Sequence, residues 1–136
     1  MQLFPNVGTV VIAALVQTEL ALSKLRLYKS PLTPSALTVL ADLTALEADY
    51  TGYTAGGETI TAFLNPVLSP AGGSSIDWPT EQFATVAPYT IGNTIYGWFL
   101  VSAAGDLIAA GSFNDPIDMS AADQGFAFPG GLVFPN

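Results

Sequence analysis

The chain has no histidine, no cysteine and only three basic side chains among its 136 residues: Lys24, Arg26 and Lys29. Enzymes commonly take a general base, a nucleophile or a cation from these residue types. The missing cysteines also exclude thiol catalysis, iron–sulfur clusters and zinc–thiolate sites. We therefore expect a protein that is not an enzyme and that uses no cofactor.

Acidic residues outnumber basic ones by 11 to three, which gives the chain a net charge of −8. Such a chain repels a phosphate backbone, so we expect no nucleic-acid partner. Residues 7–16 form an apolar run, but a bilayer of about 30 Å requires a longer one. Residues 1–6 contain no positive charge that would suggest an export signal. We expect a buried strand or short helix there and no membrane span.

Apolar residues make up 50% of the chain, and 13 Gly and 10 Pro interrupt them at short intervals. This pattern favours short strands joined by turns. We predict a single all-β domain, a β-sandwich or jelly-roll-like fold of six to nine strands with at most one short helix. Residues 20–123 would form its core. Residues 1–19 would be an apolar arm or first strand, and residues 124–136 a second arm rich in Gly, Pro and Phe.

Two segments have the clearest strand patterns. Residues 20–29 alternate, with Leu25 and Leu27 on one face and Lys24, Arg26 and Tyr28 on the other. Residues 94–102 are apolar on both faces, as expected of a central or covered strand. Alternation places Ile95, Phe99 and Val101 on one of those faces and Tyr96, Trp98 and Leu100 on the other.

The remaining strand predictions are shorter. A hairpin turn at residues 103–106 leads into a returning strand at 107–113, which we expect to close at Asn114-Asp115-Pro116. Residues 58–64 and 80–86 have strand composition, with Phe83 and Val86 as anchors of the second. Residues 65–75 are predicted to be a loop.

The segment from residue 36 to residue 50 is ambiguous. Its leucines recur every three residues, and Thr33 or Ser35 is positioned to cap a helix. The pattern fits a short helix between residues 34 and 48, and it fits equally a strand that enters Tyr50. Periodicity alone leaves both alternatives open. The leucines concerned are Leu37, Leu40, Leu43 and Leu46.

Four short motifs occur in order along the chain: Leu25-Arg26-Leu27-Tyr28, Leu40-Ala41-Asp42-Leu43-Thr44, Tyr50-Thr51-Gly52-Tyr53 and Ile95-Tyr96-Gly97-Trp98-Phe99. Over residues 25–113 this order resembles a group of small tailed-phage structural proteins. The resemblance implies a β-rich virion component on the capsid surface, a decoration (cement) protein that binds the major capsid protein and is often a homotrimer. Tail-associated proteins belong to the same group. A β-sandwich module that binds a glycan is the alternative.

Aromatic residues near both ends suggest contacts with other subunits, because free termini are usually polar. The alternative is that both ends pair as strands within the subunit. The basic face of residues 24–29 would meet an acidic neighbour in the subunit or across an interface, unless it is simply solvated. The candidate interface residues are Leu3, Phe4, Lys24, Arg26, Tyr96, Trp98, Phe126, Phe128 and Phe134.

No motif predicts a metal or phosphate site. Asp115 and Asp118 lie close together, but no Asp-rich loop has the glycine and glutamate spacing of an EF-hand. Turn formation is the better interpretation of these aspartates. None of the Gly-Gly pairs is followed by the lysine of a phosphate-binding loop.

Overall fold

A computed structural model describes residue 17 and residues 20–61, 67–68 and 74–134. These residues form seven strands and one short helix, α1. The elements are β1 (Lys24–Tyr28), α1 (Leu40–Thr44), β2 (Glu58–Thr59), β3 (Val67–Leu68), β4 (Ser74–Ala84), β5 (Asn93–Val101), β6 (Leu107–Met119) and β7 (Gly125–Phe134). The predicted all-β class with one short helix is confirmed.

The strands form two antiparallel sheets. Sheet A has the order β2-β1-β5-β6, and sheet B has the order β3-β4-β7. The predicted hairpin connects β5 to β6, with Val101 opposite Leu107. The chain then crosses from sheet A to sheet B between β6 and β7.

The main core lies between the two sheets. Leu25, Leu27 and Leu100 of sheet A are buried against Trp78 and Phe83 of sheet B. Ring contacts continue across the interior, joining both tryptophans to phenylalanines of β6 and β7. Because the apolar residues of β4 and β7 meet those of sheet A, the two sheets pack as a sandwich.

A second core covers the opposite face of sheet A. Tyr28, Phe99 and Val101 are buried there with Leu43 of α1. This explains why Tyr28 is fully buried although alternation places it with the basic residues. Both faces of the central strand β5 are therefore covered within the subunit, one by sheet B and the other by the segment that contains α1.

Helix α1 begins after Val39, whose N–H donates to the Asp42 carboxylate at 3.0 Å. The predicted caps, Thr33 and Ser35, are wrong, because the chain before Val39 forms a separate turn. Leu40, Leu43 and Leu46 pack on the second core. Leu37 belongs to the turn and is 88% exposed, so the three-residue repeat extends beyond the helix.

Strand β5 does not keep the predicted faces along its whole length. Ile95 packs in the core with Trp98 and Leu100, whereas Tyr96 packs with Phe99 in the second core. The cause is a bulge between Ile95 and Gly97, where one residue of β5 lies opposite four residues of β6. A bulge shifts the alternation of side chains, so the assignment of Ile95 and Tyr96 by simple alternation is wrong.

Four boundaries also differ from the prediction. Strand β6 continues through Asn114-Asp115-Pro116 to Met119, because the wide bulge accommodates Pro116. The predicted loop at 65–75 contains β3 and the start of β4. Val86, a predicted strand anchor, lies beyond β4 and is 57% exposed, whereas Phe83 is buried. Only residues 58 and 59 of the predicted strand at 58–64 are in β2, and residues 62–64 lie outside the described residues.

The predictions for the two ends of the chain have different outcomes. Residues 125–134, expected to belong to an arm, form β7 and pair with β4. At this end the predicted arm is wrong, and the alternative, a strand that pairs within the subunit, is correct. Leu3 and Phe4 lie outside the described residues, so the N-terminal arm stays a prediction. In the part of the chain that is described, no helix is long and apolar enough to cross a membrane.

Candidate binding surface

The basic residues of β1 have partners within the chain. Arg26 Nη1 lies 3.4 Å from Glu47 Oε2, and its guanidinium carbon lies 5.9 Å from the centre of the Phe99 ring. Lys24 Nζ donates to the Thr59 hydroxyl at 3.2 Å. For Arg26 the acidic neighbour anticipated from the sequence is thus found in the same subunit.

Glu47 is the centre of this arrangement. Its Oε1 accepts hydrogen bonds from the Tyr53 hydroxyl and the Gly56 N–H, both at 2.9 Å. The Tyr53 oxygen in turn accepts from the Leu27 N–H at 3.2 Å, beyond the point where β2 ends. Burial raises the pKa of Tyr53, so its phenol stays a protonated donor. These bonds attach the segment after α1 to the edge of β1.

The third basic residue is also paired. Lys29 Nζ lies 2.7 Å from Asp49 Oδ2, and the Asn93 amide donates to Asp49 Oδ1 at 2.9 Å. The Lys29 and Asn93 hydrogen bonds hold the pKa of Asp49 below its usual value. All three cations of the chain are therefore engaged around β1.

Four of the candidate aromatic residues, Tyr96, Trp98, Phe126 and Phe128, pack inside the subunit. Trp98 contacts Trp78 and Phe128, with centroid distances of 5.6 and 5.7 Å. Phe126 stacks on Phe83 at 5.3 Å. Tyr96 packs against the second core. For Phe134 the backbone pairs with Ser74. These contacts give the rings a role in packing, and a role in subunit contacts stays a prediction.

A different candidate binding surface lies on the outer side of β6. A cleft of about 400 Å³ separates the turn before α1 from the start of β6. Three large apolar side chains near it are exposed: Leu37 by 88%, Val39 by 56% and Ile108 by 40%. The cleft is lined by Pro34, Ser35, Ala36, Thr38, Leu107, Ile108, Ala109 and Ala110.

Sequence reasoning missed this surface for a physical reason. Ile108 is the extra residue in a bulge, because Val101 pairs with Leu107 and Leu100 with Ala109. A bulged residue is removed from the ladder and from the alternation that predicts its burial. Leu37 fitted a helical repeat, yet it precedes the helix. Its place in a segment rich in Pro, Ser and Thr was the available signal.

The charged residues of β6 and of the turn before it are all acidic. No Lys, Arg or His follows Lys29 in the sequence, whereas Asp106 precedes β6 and Asp115 and Asp118 lie in it. Within the described residues no group of three His, Cys, Asp or Glu side chains is placed to hold a metal ion. The arrangement offers apolar contact, backbone hydrogen bonding and negative charge, which are the elements of a protein-binding surface.

Comparisons with known proteins give no identification. No protein family, no characterised protein and no solved structure matches the chain.

Proposed function

We propose that the chain is a structural virion protein, a decoration protein that binds major capsid subunits at the capsid surface and stabilises the shell. The observation that supports it most is the spatial meeting of the phage-like motifs. Tyr28 of the first motif, Leu43 of the second and Phe99 of the fourth are buried together in the second core. The residues of these motifs thus fit a role in packing around sheet A rather than in a reaction centre.

The third motif joins the same unit. Tyr53 bonds to Leu27 and to Glu47, which also holds Arg26 of the first motif. A decoration protein works through contact area and needs no turnover, and about 1,600 Å² suffices for a specific interface. Many copies around a shell multiply a modest contact. A rigid sandwich with an exposed apolar cleft suits this task.

Shell binding is the direct test. The purified chain is added to expanded shells of the major capsid protein from the same virus, and sedimentation measures attachment. We expect saturable attachment and a higher melting temperature of the shell, and we expect a trimer in analytical ultracentrifugation. An unrelated acidic β-sandwich of similar size is the control. Failure to attach to expanded shells would refute the decoration function, and attachment to purified tails instead would support a tail location.

The glycan-binding alternative receives less support. Stacking on a sugar requires an open aromatic face. Trp98 lies against two other aromatic rings, and its indole covers Gly111 of the neighbouring strand. Specific binding on a glycan array that is lost in Trp98→Ala, with the fold intact by circular dichroism, would favour this alternative.

A further inference from the structure

The outer edge of β6 has open backbone groups. Among the described residues only β5 pairs with β6. The Gly111 carbonyl accepts from the Tyr28 hydroxyl at 3.2 Å and lies where a Cβ on Gly97 would contact it, so it faces β5. Backbone groups of an antiparallel strand alternate in direction. The N–H and C=O groups of Ala110 and Ser112 therefore point away from the sheet.

Other parts of the two long edges carry features that block strand addition. Pro116 and Asp115 lie in the wide bulge of β6, and Pro129 lies in β7. Proline and charge on an edge oppose pairing with another strand. Residues 109–112 have neither, and their register with β5 is regular. They form an open window on the edge of sheet A.

The cleft lies beside this window and is preformed. Ser35 N–H donates to the Thr38 hydroxyl at 2.8 Å, and Thr38 N–H donates to the Ser35 carbonyl at 3.0 Å. These bonds fix the turn that forms one wall, while Leu107–Ala110 forms the other. A strand added at the window would place alternate side chains beside this cleft, next to Leu37 and Ile108.

The charge beside the window indicates what kind of segment could dock there. Asp106 and Asp115 bracket the window, and neither β6 nor the turn that lines the cleft carries a Lys or Arg. A second copy would bring the same aspartates and a net charge of −8, and two of its three cations are already held in ion pairs. Like charges oppose such a contact, whereas lysine or arginine at the ends of an incoming segment would be attracted.

The geometry points to docking by strand addition: an extended apolar segment of another protein, with basic residues at its ends, pairs with residues 109–112 and fills the cleft. Its backbone would bond to Ala110 and Ser112. That the segment belongs to a capsid subunit rests on the proposed function. The pairing of such a segment with residues 109–112 does not rest on that function, and it can be tested without a shell.

Synthetic peptides provide the test. The probe has alternating Val and Thr, about seven residues in all, with Lys at both ends, a length typical of a strand. We expect binding, with amide exchange at Ala110 and Ser112 slowed at least tenfold while exchange at Gly111 is already slow in the free protein. The same peptide with Glu at both ends should bind about tenfold more weakly at low salt. Equal binding of the two peptides would overturn the charge argument.

Backbone pairing is separated from side-chain docking by methylation of the peptide. In a paired strand only every second N–H group of the peptide faces β6. N-methyl groups on those residues should abolish binding. N-methyl groups on the residues between them should change the affinity by no more than about twofold. If both methylated peptides bind alike, strand addition is wrong. Slow exchange of Ala110 and Ser112 in the protein without peptide would also overturn it.

Protein variants complete the design. Ser112→Pro removes one outward donor at an exposed edge position and should weaken peptide binding about tenfold, whereas Ser112→Ala should not. Leu37→Ser should weaken it several-fold, and Ile91→Ser, at an apolar residue exposed by 50% elsewhere, should not. Peptide binding without shell attachment would refute the proposed function alone, and shell attachment without peptide binding would refute strand addition alone.

Discussion

Aromatic rings lie over glycines at three places where residues are paired across strands. Tyr28 faces Gly97, Trp98 faces Gly111, and Trp78 faces Gly130. A Cβ added at any of these glycines would meet the facing ring. Glycine weakens a strand by exposing its backbone, and a ring laid across it restores cover. The glycines in the most strongly β-forming segments are thus explained by their partners.

Tyr50 carries a prediction about alkaline stability. Burial, with a smaller contribution from the charge of Glu58, raises its pKa from 10.0 to about 12. A raised folded-state pKa means that the fold favours the neutral phenol. The stability that Tyr50 contributes is fully present below pH 10 and is lost as the pH rises through about 12.

The measurement is the free energy of unfolding in urea at several pH values from 8 to above the raised pKa. Tyr50→Phe, which cannot ionise, should keep stability within about 1 kcal/mol of the parent at pH 8 and should lose less of it in alkali. Other buried tyrosines titrate in both proteins, so the difference between the two curves isolates Tyr50. Parallel curves would show that its ionisation is not linked to unfolding.

At the scale of elements, sequence reasoning succeeded where alternation is uninterrupted. The inward leucines of β1 and the β5–β6 hairpin were predictable because each depends on local pattern, whereas the pattern of residues 36–50 fitted a helix and a strand equally. The faces of Ile95 and Tyr96, the exposure of Ile108 and the passage of β6 through Pro116 were not predictable, because each depends on a bulge. Bulges depend on how two strands align with each other, which the pattern of one strand alone does not encode.

Phe128 tests how the sheets are joined. Its ring contacts Trp78, Trp98 and Phe113, and so connects both sheets. Phe128→Ala should reduce the free energy of unfolding by about 3 kcal/mol, because it leaves a cavity among these rings. Phe128→Leu should lose roughly half as much. Urea unfolding followed by tryptophan fluorescence measures both.

The neighbouring outward residue supplies the control. Ala127 is exposed on the outer face of sheet B, so Ala127→Ser should change stability by less than about 0.5 kcal/mol. Sequence reasoning proposed Phe128 as an interface residue. If Phe128→Ala kept full stability and lost only association with other subunits, the interface role would be correct and the packing role wrong.

At the scale of the whole molecule, charge is unevenly distributed over sheet A. The cations are confined to residues 24–29, on β1 and just after it, whereas the charged residues of the edge strand β6 are all acidic. Among the 11 acidic residues, Glu47 and Asp49 form ion pairs in the described part of the chain. Repulsion among the remaining carboxylates should therefore exceed the attraction that these pairs supply.

This imbalance predicts that salt stabilises the fold. Raising sodium chloride from about 0.02 to about 0.5 M shortens the screening length from roughly 20 Å to roughly 4 Å. Exposed carboxylates then repel one another less, while the half-buried Arg26–Glu47 pair is screened less than they are. We expect the melting temperature in calorimetry to rise by several degrees.

The variant Asp115→Lys, at an exposed site, changes the net charge from −8 by two units and should make the dependence of the melting temperature on salt shallower. A melting temperature that falls with salt would mean that the few ion pairs around β1 outweigh the repulsion of all the other acids.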